Sequence, residues 1–533
     1  MSFLTLANTK ILHAVSPTAI KSMLADGAEL ALVDVREELT FSKNHLLWAR
    51  NVPLSRLELR FARLVPLLTT RIVLCDDGDG LVERAAAILA NAGYTNLSYL
   101  DGGIAAWLAA GFVLFSGVHV PSKAFGEFVE HDSRTPSISA VELDAMMQNG
   151  SDLKVLDSRP FDEYTRISIP TGINVPGAEL VLRVRDIVPS PSTTIVVNCA
   201  GRTRSIIGAQ SLINAGIPNK VVALRNGTMG WHLAGFTCES RKSDRAPNFT
   251  DGGLAWAKSA AQLVAGKFGV DRIDRARLDA WLNDQKRTTY IFDVRDPAEY
   301  AAGHYPAAIS APGGQLVQAT DNYVGTLGAR IVLSDDKEAR ALMTASWLKQ
   351  MGWNDVFVLP EAGNEMEEPA HKLLCEPQNN ETIGAEQLSS LLAQEGATVI
   401  DLSTSPHYRR GHIPGAWFAI RGRLDRAVKK IHITGTLVLT SEDGLLADLA
   451  TEEARSLTNA PIRLLKGGNP VWIAAGYPLS TDGKMADDPV DVWLKPYEQA
   501  KDTEAAMNAY LSWEVDLLDH IKRDGTTHFL HAR

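Results

Sequence analysis

The chain of 533 residues has few cysteines, no long apolar run and no surplus of positive charge, and each shortage excludes a class of function. Four cysteines, Cys75, Cys199, Cys238 and Cys375, are too few and too scattered for a disulfide framework or a zinc site. Acidic residues outnumber basic ones, 63 to 53, for a formal net charge of −10. No basic excess is left to neutralise phosphates, so nucleic acid is not an expected partner. No apolar run approaches bilayer length, so a membrane is not expected either. The opening MSFLTLANTKILHAVSP has one early lysine, Lys10, and no cleavable signal pattern, so the expected location is the cytoplasm. A thiol stays reduced there and usable for chemistry.

What is present is an internal repeat. Four stretches open alike: ALVDVREELTF from Ala31, KVLDSRPFDEY from Lys154, YIFDVRDPAEY from Tyr290 and TVIDLSTSPHY from Thr398. Each reads as a short strand stopping at an aspartate: Asp34, Asp157, Asp293 and Asp401. Arg36, Arg159 and Arg295 follow two residues on, and Ser403 stands there in the fourth copy. A second strand comes next: RIVLCD, TIVVNC, RIVLSD and TLVLTS. Three copies then show a helical pattern ended by Gly93, Gly216 or Gly352, where a helix C-cap belongs. A Gly–Trp signature closes the first, second and fourth copies, and the third has lost its Trp.

Strands alternating with helical patterns predict an α/β fold, each repeat a mostly parallel sheet flanked by helices. A repeat of about 100 residues is a whole domain rather than a solenoid turn. The expected division is 1–118, 119–240, 268–378 and 379–483 for the four domains, with a linker and helix at 241–267 and a helical tail at 484–533. In the tail, Met507, Leu511, Leu517 and Leu518 follow helical spacing and predict packing on the domains.

The aspartates serve as a ruler. Forty-two residues separate Asp157 from Cys199. The same step from Asp34 reaches Asp76, not Cys75, and from Asp293 it reaches Asp335. Strand alignment puts Ser441 in the fourth slot, and the helix-end glycines agree with this register. Cys75 then reads as a buried strand residue, since free cysteine packs as a small hydrophobe. Only the second copy has a thiol where a loop enters a helix.

A loop running from a strand into a helix can turn several backbone N–H groups toward one point and, with the helix dipole, form an anion pocket. A cysteine at its first position is favoured as thiolate, and Arg202 and Arg204 add positive charge. Arg204, which closes the loop, is the better candidate to face substrate. Gly201 permits a tight turn, and Ser205 is placed to cap the following helix. Asp157 and Arg159, with Glu163 nearby, read as buttresses of the fold, because their pattern persists in copies without the cysteine. The cluster of Asp76, Asp77 and Asp79 does not match calcium-loop spacing. Ser441 lacks a nucleophile elbow, and His232 reads as a core or surface residue.

With these motifs the chain resembles the rhodanese superfamily of sulfurtransferases, as four tandem rhodanese-like domains. Three features carry the resemblance: the opening DSRPFDEY, the six-residue loop Cys199-Ala200-Gly201-Arg202-Thr203-Arg204, and the closing GTMGWHLAGF. Phosphatase relatives of the fold have a longer C-x5-R loop, whereas Cys199 to Arg204 is C-x4-R. The resemblance implies that Cys199 alone is catalytic, cycling through a persulfide. The loop residues Ala200 to Ser205, including Thr203, would bind the substrate. It implies a small anionic sulfur donor, thiosulfate in preference to 3-mercaptopyruvate, and cyanide, a thiol or an acceptor protein as acceptor. No metal or organic cofactor is implied. Domains 1, 3 and 4, with Asp76, Asp335 and Ser441 in the slot, are expected to be inactive, as scaffold or for regulation. The competing readings are a non-enzymatic scaffold or persulfide relay and a phosphatase-like enzyme.

Overall fold

Each of the four marker aspartates ends a strand inside a sheet: Ala31–Asp34, Leu153–Asp157, Thr289–Asp293 and Ala397–Asp401. The computed structural model describes residues 12–531 apart from 368, 370–372, 379 and 500. The reading of the opening residues around Lys10 lies outside the described residues. Every strand pair within the four sheets is parallel, in the order first, fifth, fourth, second, third of its domain. Such strands are covered on both faces, which is why they read as unbroken runs such as IVLC and IVVN rather than alternating.

The pairing tests the ruler directly. Asp34 lies opposite Cys75, Asp157 opposite Asn198, Asp293 opposite Ser334 and Asp401 opposite Thr440. The next residues are Asp76, Cys199, Asp335 and Ser441, so these four are equivalent in space. Cys75 is a fully buried strand residue, and burial pushes its thiol up. The helix-end glycines Gly93, Gly216 and Gly352 are left-handed, with φ of 95°, 73° and 96°. Trp107, Trp231 and Trp472 of the closing signature are buried, and each indole donates to a carbonyl six residues on, at Val113, Thr237 and Pro478. In the third domain, which has lost the closing Trp, Trp281 of an earlier helix packs on Phe357 at a centroid distance of 4.8 Å.

Two of the expected divisions change. Strand Lys484–Met485 pairs with Trp417–Phe418 and adds a sixth strand to the fourth sheet, so that sheet continues past residue 483. The stretch 241–267 is more than a linker. Its helix, Asp251–Lys267, buries Ala257, Ala260, Ala261, Val264 and Ala265 in one core shared by the second and third domains. Small side chains let it lie close against helices Glu179–Ile187 and Ala339–Gln350. The first and fourth domains meet through Arg421, whose guanidinium donates to both Glu58 oxygens at 2.8 and 2.6 Å.

Close by, Glu37 is buried with one hydroxyl partner, Ser55, at 3.1 Å. Burial pushes its carboxyl up to about 7. The folded state therefore keeps a proton that the unfolded chain releases near 4.5, so stability falls as pH rises between these values. Glu37→Gln should raise stability at pH 8 by about 2–3 kcal/mol and leave it unchanged below pH 4. Denaturation midpoints of the two proteins across that range check this.

The tail helix Thr503–Asp524 buries Met507, Leu511, Glu514, Leu517 and Ile521, while Leu518 is only partly covered. It lies along helix Val120–Ser133 and reaches the loop that holds Cys199.

Candidate functional site

Cys199 leaves the end of strand Thr194–Asn198, and helix Thr203–Asn214 begins four residues later. Among the described residues, no protein acceptor takes the backbone N–H groups of Gly201 to Ser205. The helix places them at its positive end, so together they form the expected anion cradle. Cys199 is 2% exposed, and its Sγ lies 3.5 Å from Ser205 Oγ.

The siblings fill the same cradle from within. Asp76 accepts from the amides of Gly78 and Val82 at 2.8 and 3.1 Å. Asp335 accepts from those of Lys337, Arg340 and Ala341 at 3.1, 3.0 and 3.2 Å. Ser441 Oγ accepts from Gly444 and Ala447 at 3.1 and 3.4 Å. Asp77, the next acidic residue of the first domain, pairs with Arg36 at 2.8 Å.

The closing signature holds the loop in place. Thr228 donates its N–H and its hydroxyl to the Cys199 carbonyl, at 2.8 and 3.1 Å, and Met229 N–H donates to Ala200 at 2.9 Å. Gly227, at φ 55°, allows this approach, because a Cβ there would lie 2.3 Å from the Cys199 oxygen. Gly103 and Gly468 meet Asp76 and Ser441 in the same way. Below the loop, Arg159 grips Asp157 at 2.9 and 2.7 Å, and Asn198 also donates to Asp157 at 2.9 Å. In the fourth domain Asn469 takes over by donating to Asp401 and Ser403 at 2.9 and 3.0 Å.

Three readings of the loop change, those of Ser205, Arg202 and Arg204. Ser205 does not cap the helix: the helix starts two residues earlier, and Ser205 Oγ donates to the Arg202 carbonyl at 2.8 Å. Gly201, whose φ is not left-handed, serves by its lack of a Cβ. Its need is space, since a Cβ would meet Met229 at 2.9 Å and Glu514 at 3.3 Å. Arg202 is taken up by helix Val120–Ser133, donating to both oxygens of Glu127 at 2.7 and 2.6 Å and also to Glu130. Arg204 is paired as well, with Glu163 at 2.8 Å, and it reaches Gln315 of the third domain at 3.2 Å. Burial pushes Glu163 up, but Arg204 and Lys495 outweigh it and hold the carboxyl well below its ordinary value. Neither arginine is therefore a free charge waiting for an anion. Thr203 packs its methyl on Gly126, and its buried Oγ1 has no partner.

Among the described residues, a thiol thus stands at the mouth of an amide cradle with no protein acceptor, and in the three sibling loops the slot side chain accepts from the cradle itself. The Rhodanese-like domain family matches residues 16–110, 139–234, 274–365 and 384–475. The chain belongs to the rhodanese family. A thiosulfate sulfurtransferase from Pseudomonas aeruginosa is 45% identical, with 97% of this chain and 99% of that one covered, at a TM-score of 0.94. A human single-domain sulfurtransferase is 24% identical over 19% of this chain and 97% of its own, at a TM-score of 0.17. No curated protein matches the chain.

The rhodanese matches leave out two elements that touch the loop. Helix Val120–Ser133 falls between the first two matched ranges, and the C-terminal helix lies beyond the last. They bring Lys123, Tyr510 and Glu514 to the site, and the segment before the C-terminal helix adds Lys495, which donates to Glu163 at 3.2 Å. Sequence reading missed all four. The available signal was a lysine and a glutamate at positions that would otherwise belong to apolar helix faces.

Proposed function

We propose that the chain is a sulfurtransferase whose second domain alone works, through Cys199. One observation carries this reading: among the described residues, none of the amides from Gly201 to Ser205 has a protein acceptor, while Asp76, Asp335 and Ser441 each accept from two or three amides of their own loops. Thiosulfate is the proposed donor, in keeping with the Pseudomonas relative, a thiosulfate sulfurtransferase. The Cys199 thiolate attacks the outer sulfur, a new S–S bond forms, the donor's S–S bond breaks, and its electron pair leaves with sulfite. No proton, metal or oxidant is needed. The cradle amides hold the negative persulfide sulfur. Cyanide or a thiol then takes that sulfur and returns the thiolate. Cyanide serves in the assay, and a low-molecular-weight thiol or an acceptor protein serves in a reducing cytoplasm.

Domains 1, 3 and 4 then act as a frame. No helix among the described residues is long and apolar enough to cross a membrane. Steady-state thiocyanate production from thiosulfate and cyanide tests the reading. Turnover with thiosulfate exceeding that with 3-mercaptopyruvate supports it. Sulfur that loads but leaves only to a protein acceptor supports the relay reading instead, and hydrolysis of an aryl phosphate through Cys199 supports a phosphatase.

A further inference from the structure

The amide cradle accounts for the persulfide sulfur but not for the rest of the donor. A thiosulfate dianion brings a sulfonate group, and both loop arginines are already paired with carboxylates. A third cation beside the cradle, among the described residues, is Lys123, whose one carboxylate contact, to Glu514, is long at 3.4 Å. Lys123 is 5% exposed, from a helix outside the rhodanese matches. An ammonium has three N–H donors. Lys123 spends two of them on the Tyr510 hydroxyl and, at 3.4 Å, on Glu514 Oε1. Glu514 is 2% exposed, and its other oxygen, Oε2, has no partner. That oxygen lies 3.3 Å from where a Gly201 Cβ would stand, facing the cradle. A buried, unsatisfied carboxylate oxygen beside unsatisfied amides and an ammonium with one donor still unspent has the character of a placeholder for an anion.

Resting on the sulfurtransferase reading, we propose that Lys123 binds the donor's sulfonate, and that the C-terminal helix supplies Glu514 as the internal anion the donor displaces and Tyr510 as the group that positions the ammonium. The site is thus completed from outside its own domain. Burial pulls the Lys123 ammonium below its ordinary value, and Glu514 and the Cys199 sulfur push it back, which places the three groups in one electrostatic unit.

The test uses the full chain and two donors that transfer sulfur by the same displacement: thiosulfate, a dianion that releases sulfite, and benzenethiosulfonate, a monoanion that releases benzenesulfinate. Persulfide formation is followed in single turnover. Lys123→Met should slow loading from thiosulfate at least about 30-fold and from benzenethiosulfonate less than about 5-fold, with Lys123→Arg recovering most of the difference. Glu514→Gln should move the other way and lower the KM for thiosulfate several-fold, because the competing anion is gone. Equal losses with both donors, no loss in Lys123→Met, or a raised KM in Glu514→Gln would overturn the proposal. If Lys123→Met does not fold, Glu514→Gln decides. A wild-type chain that loads from neither donor would instead contradict the sulfurtransferase reading itself.

Discussion

Cys199→Ser is expected to lose thiosulfate:cyanide sulfur transfer by at least about 10³-fold while folding like the wild type. A hydroxyl is a far weaker nucleophile than a thiolate at neutral pH, and an oxygen in its place cannot form a persulfide. Folding should survive because the fourth domain already shows a serine in this slot, its Oγ taking the amides of Gly444 and Ala447. In the variant, the new hydroxyl would fill the cradle the same way. The rate of thiocyanate release and the denaturation midpoint measure the two halves of this expectation. Residual turnover above a few per cent would move the nucleophile elsewhere, and Cys75 is a poor substitute because it is sealed in a strand.

Arg340→Met is expected to be the most damaging change away from the site. Arg340 is fully buried in the first turn of the helix that follows the third domain's filled loop. It donates to Asp335 at 3.2 and 2.9 Å, to Glu179 of the second domain at 3.0 Å, and to Glu299. Burial pushes the Asp335 carboxyl up, and Arg340 is the main group that offsets this. Methionine matches the stem but leaves several carboxylates without a cation. Removing one partner of a buried ion pair costs about 3–5 kcal/mol, because the stranded charge must stay buried or take up a proton. The denaturation midpoint should fall accordingly. A loss under about 1 kcal/mol would mean that the network stores little stability and that the third domain's loop is not a cross-domain tie.

The frame of this fold was legible because its markers are backbone requirements. Strand-end aspartates, helix-end glycines and the closing Gly–Trp each answer to a local geometry, so they repeat at fixed spacing and set the slot. Register separated Cys199 from Cys75, and the strand pairing agrees. Legibility failed where partners come from far along the chain. Nothing near Arg202 announces Glu127, 75 residues away, and nothing near Arg204 announces Gln315, 111 residues away. The carboxylate partners of the two arginines have a physical reason: a buried guanidinium needs a counter-charge, which here comes from Glu127 and Glu163. Lys123 and Glu514 are separated by 391 residues and meet only because the C-terminal helix folds back over the second domain. The edge strand Lys484–Met485, two residues long, has no periodicity to detect.

The central claim is that four equivalent loops hold one working slot. Intact-mass measurement of the full chain after thiosulfate treatment, with peptide mapping of the adduct, tests it most directly. The account predicts one added sulfur per chain, located on the peptide that carries Cys199 and removed by cyanide. No adduct, more than one sulfur per chain, or a sulfur mapped to Cys75, Cys238 or Cys375 would contradict it.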